Sequence, residues 1–178
     1  MLYAASIFLV IMVYTIIMQM LGVTKFISFN KGWLDIIKVG LPVAIIEELF
    51  FRLGVISLLF YLGATEELAL FSSALFFSFC HFTWGMYSRG GEYKTLIENT
   101  LLTIGLTIFG YICGKFYLTT GTILYGVIFH SMAIYAVQLL LKNARNEGQK
   151  YLWLFDNGHQ ILRSPIIWAI MLVYAQFI

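Results

Sequence analysis

Apolar residues run along this chain in long blocks, broken only where charges or glycine clusters interrupt them. Five blocks, residues 2–21, 34–62, 68–87, 96–117 and 122–141, each approach or exceed the roughly 20 helical residues that cross a hydrocarbon core about 30 Å thick. The second is the longest and carries Pro42, where a kink is expected. A sixth block, residues 165–178, reaches only about 21 Å at 1.5 Å per residue, which predicts a short, tilted or partly inserted last helix. The pattern therefore predicts an all-α, polytopic transmembrane helix bundle with five clear spans and a short sixth C-terminal helix.

Composition narrows this further. Of the 178 residues, 61% are hydrophobic and only 11% charged, against about 45–50% and about 25% in a soluble domain. So little charge cannot coat a water-facing surface, and the length leaves no room for a soluble domain beside the spans. The whole chain, 1–178, reads as one membrane-embedded domain, with its motif-bearing core at about 34–142. A net charge of +2 is no signature of a nucleic-acid partner. Cys80 and Cys113 lie in apolar blocks and suggest neither a disulfide framework nor a zinc site. The first block lacks a basic leading segment and is longer than a cleavable leader's core, so it reads as a retained span.

Charge placement supplies an orientation. The connections after the first, third and fifth blocks hold Lys25, Lys31, Lys38, Arg89, Lys94, Lys142, Arg145, Lys150 and Arg163, whereas the opposite side holds Lys115 with Glu66 and Glu67. By the positive-inside rule the basic loops are cytoplasmic and the N-terminus faces outward, as in a multi-pass protein of the plasma (inner) membrane. Glu66 and Glu67 read as a helix start favoured by the helix dipole. The connection 143–164 contains YLWLF and is expected along the cytoplasmic interface, with Asp156 and His159 solvated there. Gly105, Gly110 and Gly114 predict close helix approach in the fourth block.

Against this background Glu47, Glu48 and Arg52 stand out, because they interrupt the second block in LPVAIIEELFFRLGV. Each charge at mid-membrane opposes insertion by about 2.5–3.5 kcal/mol. Glu48 and Arg52 are spaced i,i+4 and can neutralise one another on one helix face. Glu47 projects about 100° away from Glu48, without a partner on its own helix. His81, in FFSFCHFTW, and His130, in LYGVIFH, fall in other blocks at depths that can meet Glu47, in the cytoplasmic half to the midplane. Taken singly, each histidine is as well explained by a hydrogen bond between helices. Five ionisable groups gathered in so short a chain instead make a functional site the default reading.

These residues resemble the CPBP family, the type II CAAX prenyl protease and bacteriocin-immunity group of glutamate-type intramembrane endopeptidases. EExxxR is present from Glu47 to Arg52, FxxxH as Phe77 to His81, and TGTILYGVIFH ends on His130. Where the family commonly has His-x-x-x-Asn, this chain has Ile134 four residues after His130. Asn99 or Ser131 would then supply the missing donor. The resemblance implies that Glu47 with His81 activates a water, that His130 stabilises the oxyanion, and that Glu48 and Arg52 fix the helix around Glu47, with Phe77 and Asn99 in support.

The implied activity is endopeptidase cleavage of a membrane-anchored or lipidated substrate near the cytoplasmic face, with no cofactor. Two histidines and a glutamate also occur as ligands of catalytic zinc, which would here be Glu47, His81 and His130, although the chain has no HExxH. The alternative to an enzyme is a non-catalytic carrier or bacteriocin-immunity factor that uses the same groups for proton relay or binding. Partners are the bilayer and the lipidated peptide, and nothing in the residues sets an oligomeric state.

Overall fold

Lipid offers the backbone no hydrogen-bond partner, so apolar blocks of this kind fold as helices that satisfy their own polar groups. The computed structural model describes residues 6, 9, 13, 24–26, 38, 40–89, 93–131, 141–143 and 165–178. Apart from one short ribbon, the elements among them are helical. Helix α1 (Leu41–Glu48) continues without a break into a π-helical segment, Leu49–Ile56, and then into α2 (Ser57–Tyr61). A long hairpin follows, α3 (Glu66–Arg89) and α4 (Tyr93–Thr120), then α5 (Leu124–His130) and the C-terminal α6 (Pro165–Tyr174).

The predicted blocks map onto these elements with several differences. Pro42 stands in the first turn of α1, preceded by the π-helical Lys38 and Gly40, and the winding changes again at Leu49. Glu66 and Glu67 do open a helix, and Thr65 caps it by accepting a hydrogen bond from the Leu68 N–H at 3.4 Å. Of the fifth block, 132–140 lie outside the described residues. Its expected last residue, Leu141, is in a strand: β1 (Thr24–Phe26) pairs antiparallel with β2 (Leu141–Asn143), Phe26 opposite Leu141. No alternation marks those positions in the sequence, and the pairing corrects the purely helical expectation there. The last helix begins where predicted, at Pro165, and ends at Tyr174. Most of the first block, the connection 144–164 with Asp156 and His159, and Ile134 lie outside the described residues.

The α3–α4 hairpin is the backbone of the bundle, and small residues make it close. A methyl group at Gly110 would come within 3.2 Å of the Ala74 Cα, and one at Gly114 within 2.6 Å of the Leu70 side chain. Across the same interface Thr107 donates to the Ser78 hydroxyl at 2.8 Å. Helix α4 ends at a left-handed Gly121, φ +70°, whose N–H bonds back to the Tyr117 carbonyl, and this reverses the chain into α5. Helix α6 docks on the same end of α4: Tyr174 packs on Phe116 and Phe129, and Lys115 Nζ donates to the Ala175 carbonyl at 2.8 Å. The Tyr174 hydroxyl also shares a 2.7 Å hydrogen bond with Ser6 of the first block.

Polar and charged side chains share the interior with the apolar core, while large apolar side chains also face outward. Glu48, Arg52, Ser73, Asn99 and His130 are buried, while Ile46, Phe50, Phe71, Phe79 and Val173 are each more than half exposed. Among the described residues one helical stretch, Asn99–Thr120, is both long and apolar enough to cross a membrane, and α6 is apolar but short. Among the described residues, the second and third expected spans do not reach that length and hydropathy together. The second is divided into segments of eight, eight and five residues, and α3 is diluted by polar positions such as Glu66, Glu67, Ser73, Ser78 and His81.

Candidate active site

The charged residues of α1 and the π-helical segment divide into a closed pair and an open one. Glu48 and Arg52 are both fully buried, and the guanidinium meets the carboxylate with two hydrogen bonds, Nε to Oε2 at 2.9 Å and Nη2 to Oε1 at 3.3 Å. This fork-to-carboxylate geometry is the strongest form of an ion pair and offsets the desolvation of both groups. The remaining Arg52 nitrogen, Nη1, donates to Ser73 Oγ at 3.4 Å, and Ser73 donates in turn to the Phe51 carbonyl at 3.0 Å. The Arg52 guanidinium also lies 5.6 Å from the centre of the Phe77 ring. The pairing expected from the i,i+4 spacing is thus present and is extended by a residue of α3.

Glu48 reaches one element further. His130 Nδ1 lies 3.1 Å from Glu48 Oε1, and since the carboxylate is already occupied by Arg52, the ring nitrogen is the donor. The close approach of α5 to α1 depends on Gly126, where an added methyl would fall 2.7 Å from Glu48 Oε2. The ring of His130 is further held edge-on by Phe109 and Phe77, at 5.1 Å and 5.9 Å between centroids. Phe109, Ser73 and Gly126 are site-building residues that the sequence does not single out, although Gly126 lies within TGTILYGVIFH.

Glu47 is the open member. Its side chain is 24% exposed, and its Oε2 has no hydrogen-bond partner. His130 Nε2 stands 3.4 Å from Oε2, and His81 Nε2 stands 3.9 Å from Oε1. His81 is itself fixed through its other nitrogen: Nδ1 lies 2.9 Å from the Phe77 carbonyl, which can only accept. The Phe77 ring packs against His81 at 4.6 Å. The FxxxH spacing therefore has a physical basis, since residue i supplies both the acceptor and the packing surface for the imidazole at i+4. In the neutral ring, Nδ1–H leaves Nε2 as a lone pair directed toward Glu47.

The bundle thus brings Glu47, His81 and His130 together from three helices, with Glu48, Arg52 and Phe77 packed behind them. Asn99 is buried on α4, and neither its Nδ2 nor its Oδ1 has a hydrogen-bond partner. Ser131, next to His130, is buried with its hydroxyl unpartnered. Among the described residues no group of three or more His, Cys, Asp or Glu side chains has the arrangement of a metal site.

A carboxylate with imidazole nitrogens 3.4 Å and 3.9 Å away, and no direct hydrogen bond to either, can share with them a small polar molecule such as water bound alongside. Comparison with protein families gives a match to the family described as Type II CAAX prenyl endopeptidase Rce1-like, over residues 29–135. That stretch contains every residue of the site and stops before α6. Comparisons with curated proteins and with solved structures gave no match.

Proposed function

The chain belongs to the Rce1-like family of type II CAAX prenyl endopeptidases, membrane-embedded proteases, and from that premise we propose that Glu47, His81 and His130 form its catalytic centre. The observation that carries this reading is the convergence of the three on one point, with Glu47 Oε1 and Oε2 facing His81 Nε2 and His130 Nε2. A water bound alongside them donates one proton to Glu47 and the other to the His81 lone pair, which turns an oxygen lone pair toward a scissile carbonyl. Glu47 takes the proton as the water adds, and the resulting tetrahedral oxyanion collapses when Glu47 passes that proton to the leaving amine. His130, anchored at Nδ1 by Glu48, presents Nε2–H in its protonated form to the oxyanion. Glu48 and Arg52 neither bind nor transfer; they hold α1 against α3 and α5.

The substrate is a membrane-anchored or lipidated peptide cut near the cytoplasmic face. The exposed apolar side chains of α1, α3 and α6 support a multi-pass placement, because lipid covers such a surface at no cost and water does not. In that placement the basic loops are cytoplasmic and the N-terminus is outside. The chemistry runs without a metal, since the histidine and carboxylate together supply the base and the donor.

The test is cleavage by the purified protein in liposomes, with membrane-tethered peptides that include a prenylated peptide ending in a CAAX box. Wild type cleaves, and Glu47→Ala and His81→Ala do not. No cleavage by wild type together with a Glu47-dependent proton flux would instead identify a carrier.

A further inference from the structure

Among the described residues, the buried side-chain polar atoms without a hydrogen-bond partner are Glu47 Oε2, Ser131 Oγ and both ends of the Asn99 carboxamide. The first belongs to the reacting carboxylate. Asn99 is 1% exposed and leaves a donor and an acceptor unpaired at once, an arrangement that opposes folding unless something fills it.

Its position follows from the hairpin. Thr107 bonds Ser78, and Gly110 abuts Ala74, so α3 and α4 run antiparallel in a register that sets His81 level with about residue 104. Asn99 then lies about five residues, roughly 7–8 Å, beyond His81 toward residues 90–92. It shares a buried stripe with Leu106, Phe109 and Cys113, which repeat on one side at 100° per residue. Phe109, further along that stripe, touches His130, so the buried face that carries Asn99 continues into the site. Asn99 is also the first residue of the membrane-length apolar stretch.

We propose that Asn99 is a substrate-binding residue that pairs with the peptide backbone about two residues from the scissile bond. An extended peptide rises about 3.3 Å per residue, so two residues span the separation. The carboxamide matches a peptide group in both senses: Nδ2–H donates to a substrate carbonyl while Oδ1 accepts from a substrate N–H. A prenyl chain offers neither partner, and a lipid ester carbonyl would satisfy only the donor. This rests on the protease reading and deepens it by assigning the site a peptide subsite.

The experiment separates the two claims by measuring binding without turnover. The full chain carrying Glu47→Gln is placed in nanodiscs and titrated with a fluorescent prenylated CAAX peptide, then with a series in which one backbone amide at a time is replaced by an ester. Adding Asn99→Leu is expected to weaken binding of the all-amide peptide about tenfold, the scale of one well-formed hydrogen bond pair, without lowering thermal stability. One ester, about two residues from the cleavage point, weakens binding to the protein that retains Asn99 and leaves binding to Asn99→Leu unchanged. Asn99→Asp keeps the acceptor and so keeps that ester penalty, which holds the test open if Asn99→Leu does not fold. Equal ester penalties with and without the Asn99→Leu change, a loss of stability in place of affinity, or no peptide binding by the protein that retains Asn99 each overturn the proposal. Absence of cleavage by wild type overturns the catalytic reading alone, and the ester coupling still decides on Asn99.

Discussion

His130 Nδ1 donates to Glu48 Oε1 at 3.1 Å across a separation of 82 residues, so the last histidine of the site is tied to the carboxylate that Arg52 already holds. This single contact joins the buried ion pair to the candidate site: Glu48 is shared between Arg52 and the imidazole. It also fixes which nitrogen of His130 faces Glu47.

Removing one partner of the strut leaves the other as an uncompensated buried charge. Glu48→Ala and Arg52→Ala are each expected to destabilise the folded protein by about 3–5 kcal/mol. The double variant should lose clearly less than the sum, since it leaves no orphan charge. Unfolding of all three in one detergent checks this, and additive losses would show that the pair is not coupled.

Glu47 carries no such burden. Its side chain is partly exposed and its Oε2 has no partner, so Glu47→Gln should change stability by no more than about 0.5 kcal/mol. In the proposed mechanism the same change removes the base, and it should lower the cleavage rate by about 10²–10⁴-fold. Measured side by side, a large stability loss with Glu47→Gln would mark the residue as structural.

Gly126 and Gly54 form a contrasting pair. A methyl at Gly126 would press on Glu48 Oε2 at 2.7 Å, whereas one at Gly54 meets only the Leu49 carbonyl at 3.8 Å. Gly126→Ala should cost about 1–3 kcal/mol by overpacking and should slow cleavage by displacing His130. Gly54→Ala should be neutral or stabilising by up to about 1 kcal/mol through reduced backbone freedom. Equal effects at the two positions would argue against close α1–α5 packing.

The metal-free chemistry predicts that cleavage survives prolonged dialysis against a strong chelator. Restoration of a chelated, inactive sample by zinc, and not by magnesium, would replace the water-activation scheme by one in which Glu47, His81 and His130 are ligands.

Much of the site was legible because its spacings are local. The i,i+4 relation of Glu48 to Arg52 and of Phe77 to His81 follows from helical geometry alone, and the Gly110–Gly114 repeat marked the close face of the hairpin. Ser73, Phe109 and Gly126 were not legible, because each acts on a residue of another helix and is unremarkable in its own segment. The ribbon between residues 24–26 and 141–143 and the π-helical winding after Glu48 had no local signal either.

The amino-acid sequence alone determined that the chain is helical and apolar, that Glu48 and Arg52 neutralise each other, and that Glu47 is left without a partner on its own helix. All of these follow from period, composition and the cost of charge in lipid. Only the tertiary structure decided what Glu47 faces and which carboxylate holds His130, because the approach of α5 to α1 rests on Gly126 and the orientation of each imidazole rests on acceptors outside its own ring. The sequence could place the reacting groups at one depth, and packing between helices turned them toward one another.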